Sequence, residues 1–329
     1  MDGAGKVSSG SKSSKRGPRV GSFQFKISVI LLESITWPLA WLPTRLGLAL
    51  GALGGRLVFY LSANRRHIAM ANIEMIKANG FLPPNIDSRS TALNSFANLG
   101  RSAWEALCFY HRGLAPFLKY IHIEEGEEYL RQAITASGER GVGLVLTTGH
   151  CGNWEMMCHF VSHVTGRPMT IIGRDSGHTV VDELIRRLRT RGGNFYASKN
   201  EGAKAMLTAL RKGQLVGTLI DQAVITGHVA AMIPFMGREA TTNLGPIRLA
   251  HRTKSILLMV LFRRDGRHHF MTVKDFSELA QTENDPLKNA ARLNQWLGEY
   301  IRQYPDQWMW GHRRWKTRVG IRSNQDSII

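Results

Sequence analysis

Between Gly141 and Gly166 the chain reads GVGLVLTTGHCGNWEMMCHFVSHVTG, and this stretch limits the possible folds more than any other. The apolar run Val142, Leu144, Val145, Leu146 carries no helical punctuation and breaks at Thr147 to Gly152. After the break Met156, Met157, Phe160, Val161 and Val164 recur with a helical period until Gly166 stops them. The segment is therefore a strand, a tight turn and a helix. The turn holds His150 and, five residues on, Glu155. In one continuous helix that spacing would set them over a third of a turn apart, so they meet only if His150 lies in the loop. Asn153 is an N-cap candidate, which puts Glu155 in the first helical turn. A histidine oriented by a carboxylate is a general base, and a helix N-terminus beside it offers N–H groups to developing negative charge. The functional reading is a hydroxyl-activating dyad of His150 and Glu155 at a strand end.

Blander readings compete. A His near a Glu is usually a surface pair or a satisfied core pair. His150, Cys151, Glu155, Cys158, His159 and His163 crowd together as zinc ligands might be sought, but Cys151 and Cys158 are seven apart, against the two to four of a structural site. No metal is expected. Cys151 as a nucleophile with His150 as its base ranks below the dyad, since adjacent side chains usually point apart.

His150-Cys151-Gly152-Asn153-Trp154-Glu155 resembles the His-x4-Asp/Glu box of membrane glycerolipid acyltransferases, in the H-x-G-N-W-E form of the lipid A biosynthesis late acyltransferases, the lauroyl and myristoyl transferases. Asn64-Arg65-Arg66-His67-Ile68-Ala69-Met70-Ala71-Asn72 resembles that family's arginine-then-Asn lead-in. Asp221-Gln222, Pro234-Phe235-Met236-Gly237 and Trp310-Gly311-His312-Arg313-Arg314-Trp315-Lys316 resemble its later boxes, in the family order. The match covers roughly residues 25 to 318, which no single short motif could counterfeit. The resemblance implies an acyl thioester donor, either acyl carrier protein or acyl-CoA, and a membrane lipid acceptor. It also implies no cofactor and a place on the cytoplasmic face of a bacterial inner membrane. Arg174, just after the second strand, is by resemblance a phosphate ligand, although Gly173-Arg174-Asp175 stands where relatives usually have Tyr-Arg-Pro. Arg189 falls where relatives also place an Arg. With Asn153 and Asp221 these make the expected substrate-binding set.

The 329 residues, 43% hydrophobic, suffice for a large core. Forty-three Lys and Arg against twenty-five Asp and Glu give a net charge of +18, which calls for an anionic partner: nucleic acid, phospholipid headgroups or an acidic protein. Three thinly spread Cys argue against a disulfide framework and for a reducing compartment. Residues 1–21 are Gly, Ser and Lys rich and read as a disordered basic tail, either a tether to an anionic leaflet or a solvated extension.

Residues 22–62 change character. ISVILLESITWPLAWLP and LGLALGALGGRLVFYLS are apolar, but Glu33 and Pro38 interrupt the first, so neither is a clean span. One bent or tilted membrane helix, or two interfacial ones, is expected, the alternative being a buried helical hairpin. Gly47, Gly51 and Gly55 repeat as close-packing helix contacts do, Trp37, Trp41 and Tyr60 suit an interface, and Lys26, Arg56, Arg65 and Arg66 flank the segment.

Residues 63–318 read as the acyltransferase domain and 319–329 as a polar tail. Residues 64 to 136 read as helices, with Glu105 either near the acceptor or on a solvated face. Pro168 to Ile172 reads as a strand, and Thr179 to Thr190 as a helix opened by a Thr179-x-x-Asp182 capping box. Arg186, Arg187, Arg189 and Arg191 line that helix's polar side, a solvated face or a surface for an acidic partner. Glu201 to Lys212 is a helix and Leu215 to Ile220 a strand, with Asp221 at its C-terminal end, where it could orient a hydroxyl or Arg174, or cap a loop. Ile233 to Arg238 is expected to wall a substrate pocket. Asp265-Gly266 marks a hairpin, and Asp285-Pro286 opens the last long helix. The alternation of strands and helices predicts an α/β fold, a mixed β-sheet flanked by helices with an N-terminal membrane-associated helical segment. The aromatic-basic run from Pro305 to Lys316 follows a helix and lacks the strand pattern of a nucleic-acid module, so no nucleic acid is expected. Two function classes remain: a membrane-anchored acyltransferase, with acyl carrier protein favoured as donor, and a non-catalytic basic scaffold for anionic lipid or nucleic acid. A Cys-dependent thioesterase is a weaker third.

Overall fold

The computed structural model describes residues 21–173, 178–198, 201–223, 230–278 and 285–315. The basic tail before residue 21, Arg174, Lys316 and the polar C-terminal tail lie outside them. Four helices come first: α1 (Phe23–Ala40), α2 (Thr44–Leu61), α3 (Ala63–Ala78) and α4 (Ser88–Arg112). The short α5 (Ala115–Leu118) leads to β1 (Ile121–Glu125) and α6 (Glu127–Arg140). There follow β2 (Leu144–Thr148), α7 (Trp154–Thr165), β3 (Met169–Gly173), α8 (Thr179–Thr190), β4 (Phe195–Ser198), α9 (Gly202–Arg211) and β5 (Leu215–Leu219). The hairpin of β6 (Ala230–Phe235) and β7 (Arg238–Asn243), then α10 (Gly245–Thr253), β8 (Ile256–Asp265), β9 (His268–Asp275) and α11 (Pro286–Gln303), complete the chain.

Among the described residues seven strands form one mixed sheet in the order β1-β9-β8-β2-β5-β3-β4. β8, β2, β5, β3 and β4 run parallel, β9 turns back against β8, and β1 joins parallel to β9. Alternation along β2 divides the core. Val145 packs with residues of α3, α9, α10 and α11 on one face, while Leu144 and Leu146 pack with α4, α6 and α7 on the other. β1 was not legible as a strand, because a five-residue edge element has few apolar positions and its identity comes from pairing with β9. The same holds for β4, a four-residue edge strand defined by its pairing with β3. The expected pocket wall at Ile233 to Arg238 is instead the tip of the β6–β7 hairpin, turned at Met236 and Gly237 (φ 52° and 75°), with Ile233, Phe235 and Met236 buried in the core. His178 occupies the N-cap position of α8, so Thr179 is the first helical residue and not the cap.

The N-terminal apolar stretch forms α1 and α2, both packed on α4. Small residues let the backbones of α2 and α4 touch: a Cβ on Gly55 would sit 2.0 Å from Phe96 O, and one on Gly100 2.0 Å from Gly51 O. Glu33, which interrupts the apolar run, is turned inward, where Tyr110 donates to it and Arg187 Nη1 lies at 2.9 Å. Among the described residues, all but four of the exposed large apolar side chains lie between Phe23 and Leu61. Among the described residues no single helix is long and apolar enough to cross a membrane, although α2 and α3, bent at 93°, pass as a pair on length and composition.

Candidate active site

The register of β2 and β5 decides which residues meet. Thr148 stands opposite Leu219, and Ile220 N donates to Thr148 O at 3.1 Å, so His150 and Asp221 leave neighbouring strands together at the C-terminal edge of the sheet. Connections depart in opposite directions there, β2 leading across to β3 and β5 leading back toward β8, which is where open α/β sheets form a crevice. His150 Nδ1 donates to Asp221 Oδ1 at 2.7 Å, and the His150 main-chain N–H donates to Oδ2 at 2.7 Å. Trp308 Nε1 donates to the same Oδ2 at 2.7 Å. Both His150 and Asp221 are buried. Burial alone would raise the Asp221 carboxyl, but the His150 imidazole and these donors outweigh it and hold the group well below the ordinary carboxylate range. With Nδ1 carrying the proton, Nε2 is the basic atom, and it accepts from the Gln222 amide nitrogen at 3.0 Å.

The expectation that Glu155 holds His150 is corrected by this geometry. Glu155 lies in the first turn of α7 and accepts a fork from Arg189, with Nε–Oε2 at 3.0 Å and Nη2–Oε1 at 2.5 Å. Burial would raise its carboxyl, and the Arg189 guanidinium, with a smaller contribution from His150, depresses it below its ordinary value. Arg189 is thus engaged in positioning Glu155, not left open for a substrate phosphate. Of the other arginines expected on this face, Arg186 and Arg187 pair with Glu183 and Arg187 also reaches Glu33, while Arg191, the C-cap residue, donates to His111 O at 3.4 Å.

Asn153 caps α7 by accepting from Met156 N at 3.1 Å. Its Nδ2 donates to Glu105 Oε2 at 2.7 Å, so the amide fixes the turn instead of facing a substrate. Glu105, in place of a solvated face, lies at the centre of a buried cluster: Arg264 donates to both carboxylate oxygens and His269 Nε2 lies at 3.0 Å. Burial opposes ionisation of Glu105, yet Arg264 and His269 hold its carboxyl far below the usual range. Ser102, which donates to Gly152 O at 3.2 Å, ties this cluster to the turn that presents His150. Gly152 itself has φ 55°, and a Cβ there would come within 2.5 Å of Phe262 O. The turn cannot be made with a side chain at this position.

The C-terminal aromatic-basic segment packs against the core and completes the site. Gly152 N donates to Gln307 O at 3.0 Å and Met309 N to His150 O at 3.2 Å, clamping Trp308 over Asp221. From α3, Asn72 Nδ2 donates to Trp310 O and His312 O (2.9 and 2.8 Å), and Arg65 Nη1 to Gly311 O at 3.0 Å. The lead-in box and the last box are therefore two halves of one brace. In the sequence Trp308 carries no signal of this role beyond its place in a run of aromatics and cations. Cys151 is 1% exposed, and burial, reinforced by Asp221, pushes its thiol well above the ordinary value. Burial pushes Cys108 and Cys158 up to about 12. None of the three offers a thiolate.

Beside His150 a cavity of about 780 Å³ runs between α1, α2 and α4. Leu39, Leu50, Val58, Leu99 and Leu107 line it, together with the polar side chains of Gln222 and His312. A histidine held by a carboxylate and separated from an apolar cavity only by the Gln222 side chain suits an enzyme that deprotonates a polar group on a lipophilic substrate. Residues 25–317 match the bacterial lipid A biosynthesis acyltransferases, and the chain belongs to that family and is an acyltransferase. It is 24% identical over 296 residues to the lipid A biosynthesis lauroyltransferase of Escherichia coli (strain K12), covering 86% of this chain and 90% of that one. It is 23% identical over 288 residues to the palmitoleoyltransferase of the same organism, covering 86% and 89%. A Haemophilus influenzae lipid A biosynthesis acyltransferase is 24% identical over 203 residues, 60% of this chain and 61% of its own length.

Proposed function

We propose that this chain transfers a fatty acyl group from an acyl thioester, acyl carrier protein in preference to acyl-CoA, to a hydroxyl of a lipid A precursor or related glycolipid or phospholipid. The observation that carries the reading is His150, held by Asp221 through Nδ1 and presenting Nε2 beside Gln222, which also lines the apolar cavity. The acceptor hydroxyl displaces Gln222 from Nε2 and gives its proton to His150 as its oxygen attacks the thioester carbonyl. The first-turn N–H groups of α7 that Asn153 does not cap stabilise the tetrahedral oxyanion, and Asp221 stabilises the imidazolium that forms. Collapse breaks the carbon–sulfur bond, and His150 returns the proton to the departing thiolate. No acyl-enzyme forms, in keeping with the buried, unionised Cys151. The acyl chain lies in the cavity between α1, α2 and α4.

The exposed apolar faces of α1 and α2 support attachment of residues 22–62 to the cytoplasmic face of a bacterial inner membrane, with residues 63–318 as the catalytic domain. The preference for the carrier thioester rests on the family resemblance and on the net charge of +18, not on α8, whose arginines are paired internally. The test is thiol release and lipid acylation by purified protein with both thioesters. His150→Ala, folded as judged by circular dichroism, should lose about two to four powers of ten in rate. Near-normal transfer by that variant, or a trapped acyl-protein, would sink the mechanism. A basic scaffold would release no thiol at all.

A further inference from the structure

On the opposite side of the α2/α4 contact from the apolar cavity, a second cavity of about 600 Å³ opens between the start of α2 and the β8–β9 turn. Arg45, Arg101, Arg267 and His268 line it, against the single carboxylate of Asp265. Among the described residues none of these three arginines forms an ion pair. Arg101 donates to Asn98 Oδ1 at 2.7 Å, and Arg267 lies 4.8 Å from the Tyr120 ring centroid. Burial presses the Arg101 guanidinium below its ordinary value, and the cations Arg264 and Arg56 add to this against the opposing pull of Asp306 and Glu105. The first turn of α2 adds to this, since Pro43 at its N-cap provides no side-chain acceptor for the N–H groups there. From the residue after Arg45 onward α2 also carries the exposed aliphatic side chains Leu46, Leu53 and Leu57.

We propose that this cavity is a binding site for the phosphate of a lipid headgroup, with the lipid's tails lying along these α2 side chains. A free phosphate would use the guanidiniums but leave the exposed aliphatic side chains unexplained. A phospholipid uses both, because its anion and its hydrocarbon are covalently joined at the depth where α2 begins. The site rests on the reading of α1 and α2 as a lipid-facing surface, and it does not depend on acyl transfer.

The experiment is co-sedimentation of the full-length protein with phosphatidylcholine vesicles, with and without a minor fraction of phosphatidic acid. Three proteins are compared: wild type, Arg45→Gln/Arg267→Gln, and a charge-matched control, Arg211→Gln/Lys212→Gln, at the C-terminus of α9 and the opposite end of the sheet. Near an anionic surface two lost cations should reduce the preference for phosphatidic acid about thirtyfold in the first variant, and the control should lose about threefold or less. Equal losses in both would show a diffuse field and overturn the site. So would an unchanged preference in the first variant. Inorganic phosphate that protects wild type from thermal unfolding but not the Arg45/Arg267 variant, with vesicle binding equal in the two, would assign the cavity to free phosphate instead. Wild type that binds neither vesicle would overturn the lipid-facing reading along with the site, while retained binding without the variant's loss removes the site alone.

Discussion

Asp221 takes three hydrogen bonds, two from His150 and one from Trp308, and every one of them needs an acceptor. An amide at this position keeps the shape and the bonds from the His150 main chain and Trp308 on its oxygen, but its NH2 then faces Nδ1, which forces the His150 proton onto Nε2 and removes the base. Asp221→Asn should therefore lower kcat by about 10²–10⁴ while leaving the thermal midpoint nearly unchanged, read by steady-state transfer and a melt in the same detergent. Glu155 predicts a different balance. Its removal leaves Arg189, with only 14% of its side chain exposed, without its partner, so Glu155→Gln should destabilise by about 1–3 kcal/mol and retain more of the rate than Asp221→Asn. The reverse ordering of rates would restore Glu155 as the group that orients the base. Cys151→Ala should keep activity within about threefold, since a buried thiol pushed above its ordinary pKa contributes packing and not chemistry. The His and its turn were legible because a strand, a break and a helix are local patterns. The identity of the partner carboxylate was not, since it depends on a strand seventy residues away.

At the scale of elements, the contact of α2 with α4 places the apolar cavity beside the base. Gly100→Val would drive side-chain atoms into the Gly51 carbonyl, whereas a Cβ on Gly54 meets nothing within 4 Å. Gly100→Val should cost about 1–3 kcal/mol or more and weaken acyl-chain binding, while Gly54→Ala should be neutral or stabilise by up to about 1 kcal/mol through helix propensity. Denaturant titrations of both, with KM for the thioester, check the contrast. The repeat of Gly47, Gly51 and Gly55 announced a close helix contact, but only the fold showed the partner to be α4. In the same way α8 reads from sequence as a row of free cations. Reversing Arg187 and Arg189 to Glu would break the Glu33 and Glu155 pairings before it tested any acidic partner, so a slower reaction in that variant would not by itself identify a docking surface.

For the whole molecule, buried titratable groups set the response to acid. Burial holds His159 and His312 down at about 4 from an ordinary 6.5, so the unfolded chain binds protons there that the folded protein refuses. Stability should thus fall as pH drops from about 6.5 toward 4. Glu105 acts below that range: its depressed carboxyl contributes stability above the ordinary value of 4.5, and this is lost as the pH falls toward its folded-state pKa. Glu105→Gln should remove that lower branch and cost about 3–5 kcal/mol at neutral pH by leaving Arg264 buried and unpaired, both read from melts against pH. An acid branch unchanged in Glu105→Gln would show that the cluster does not control it. The sequence by itself determined the alternation of strands and helices, the turn that presents His150, the apolar N-terminal helices and the basic charge, because periodicity, caps and composition act over neighbouring residues. Tertiary structure alone decided that Asp221 holds His150, that Arg189 holds Glu155, that Glu105 is buried, and that α3 braces the C-terminal segment. Those pairings join residues tens to hundreds of positions apart, and parallel strand register and helix packing, not local preference, bring them within hydrogen-bonding distance.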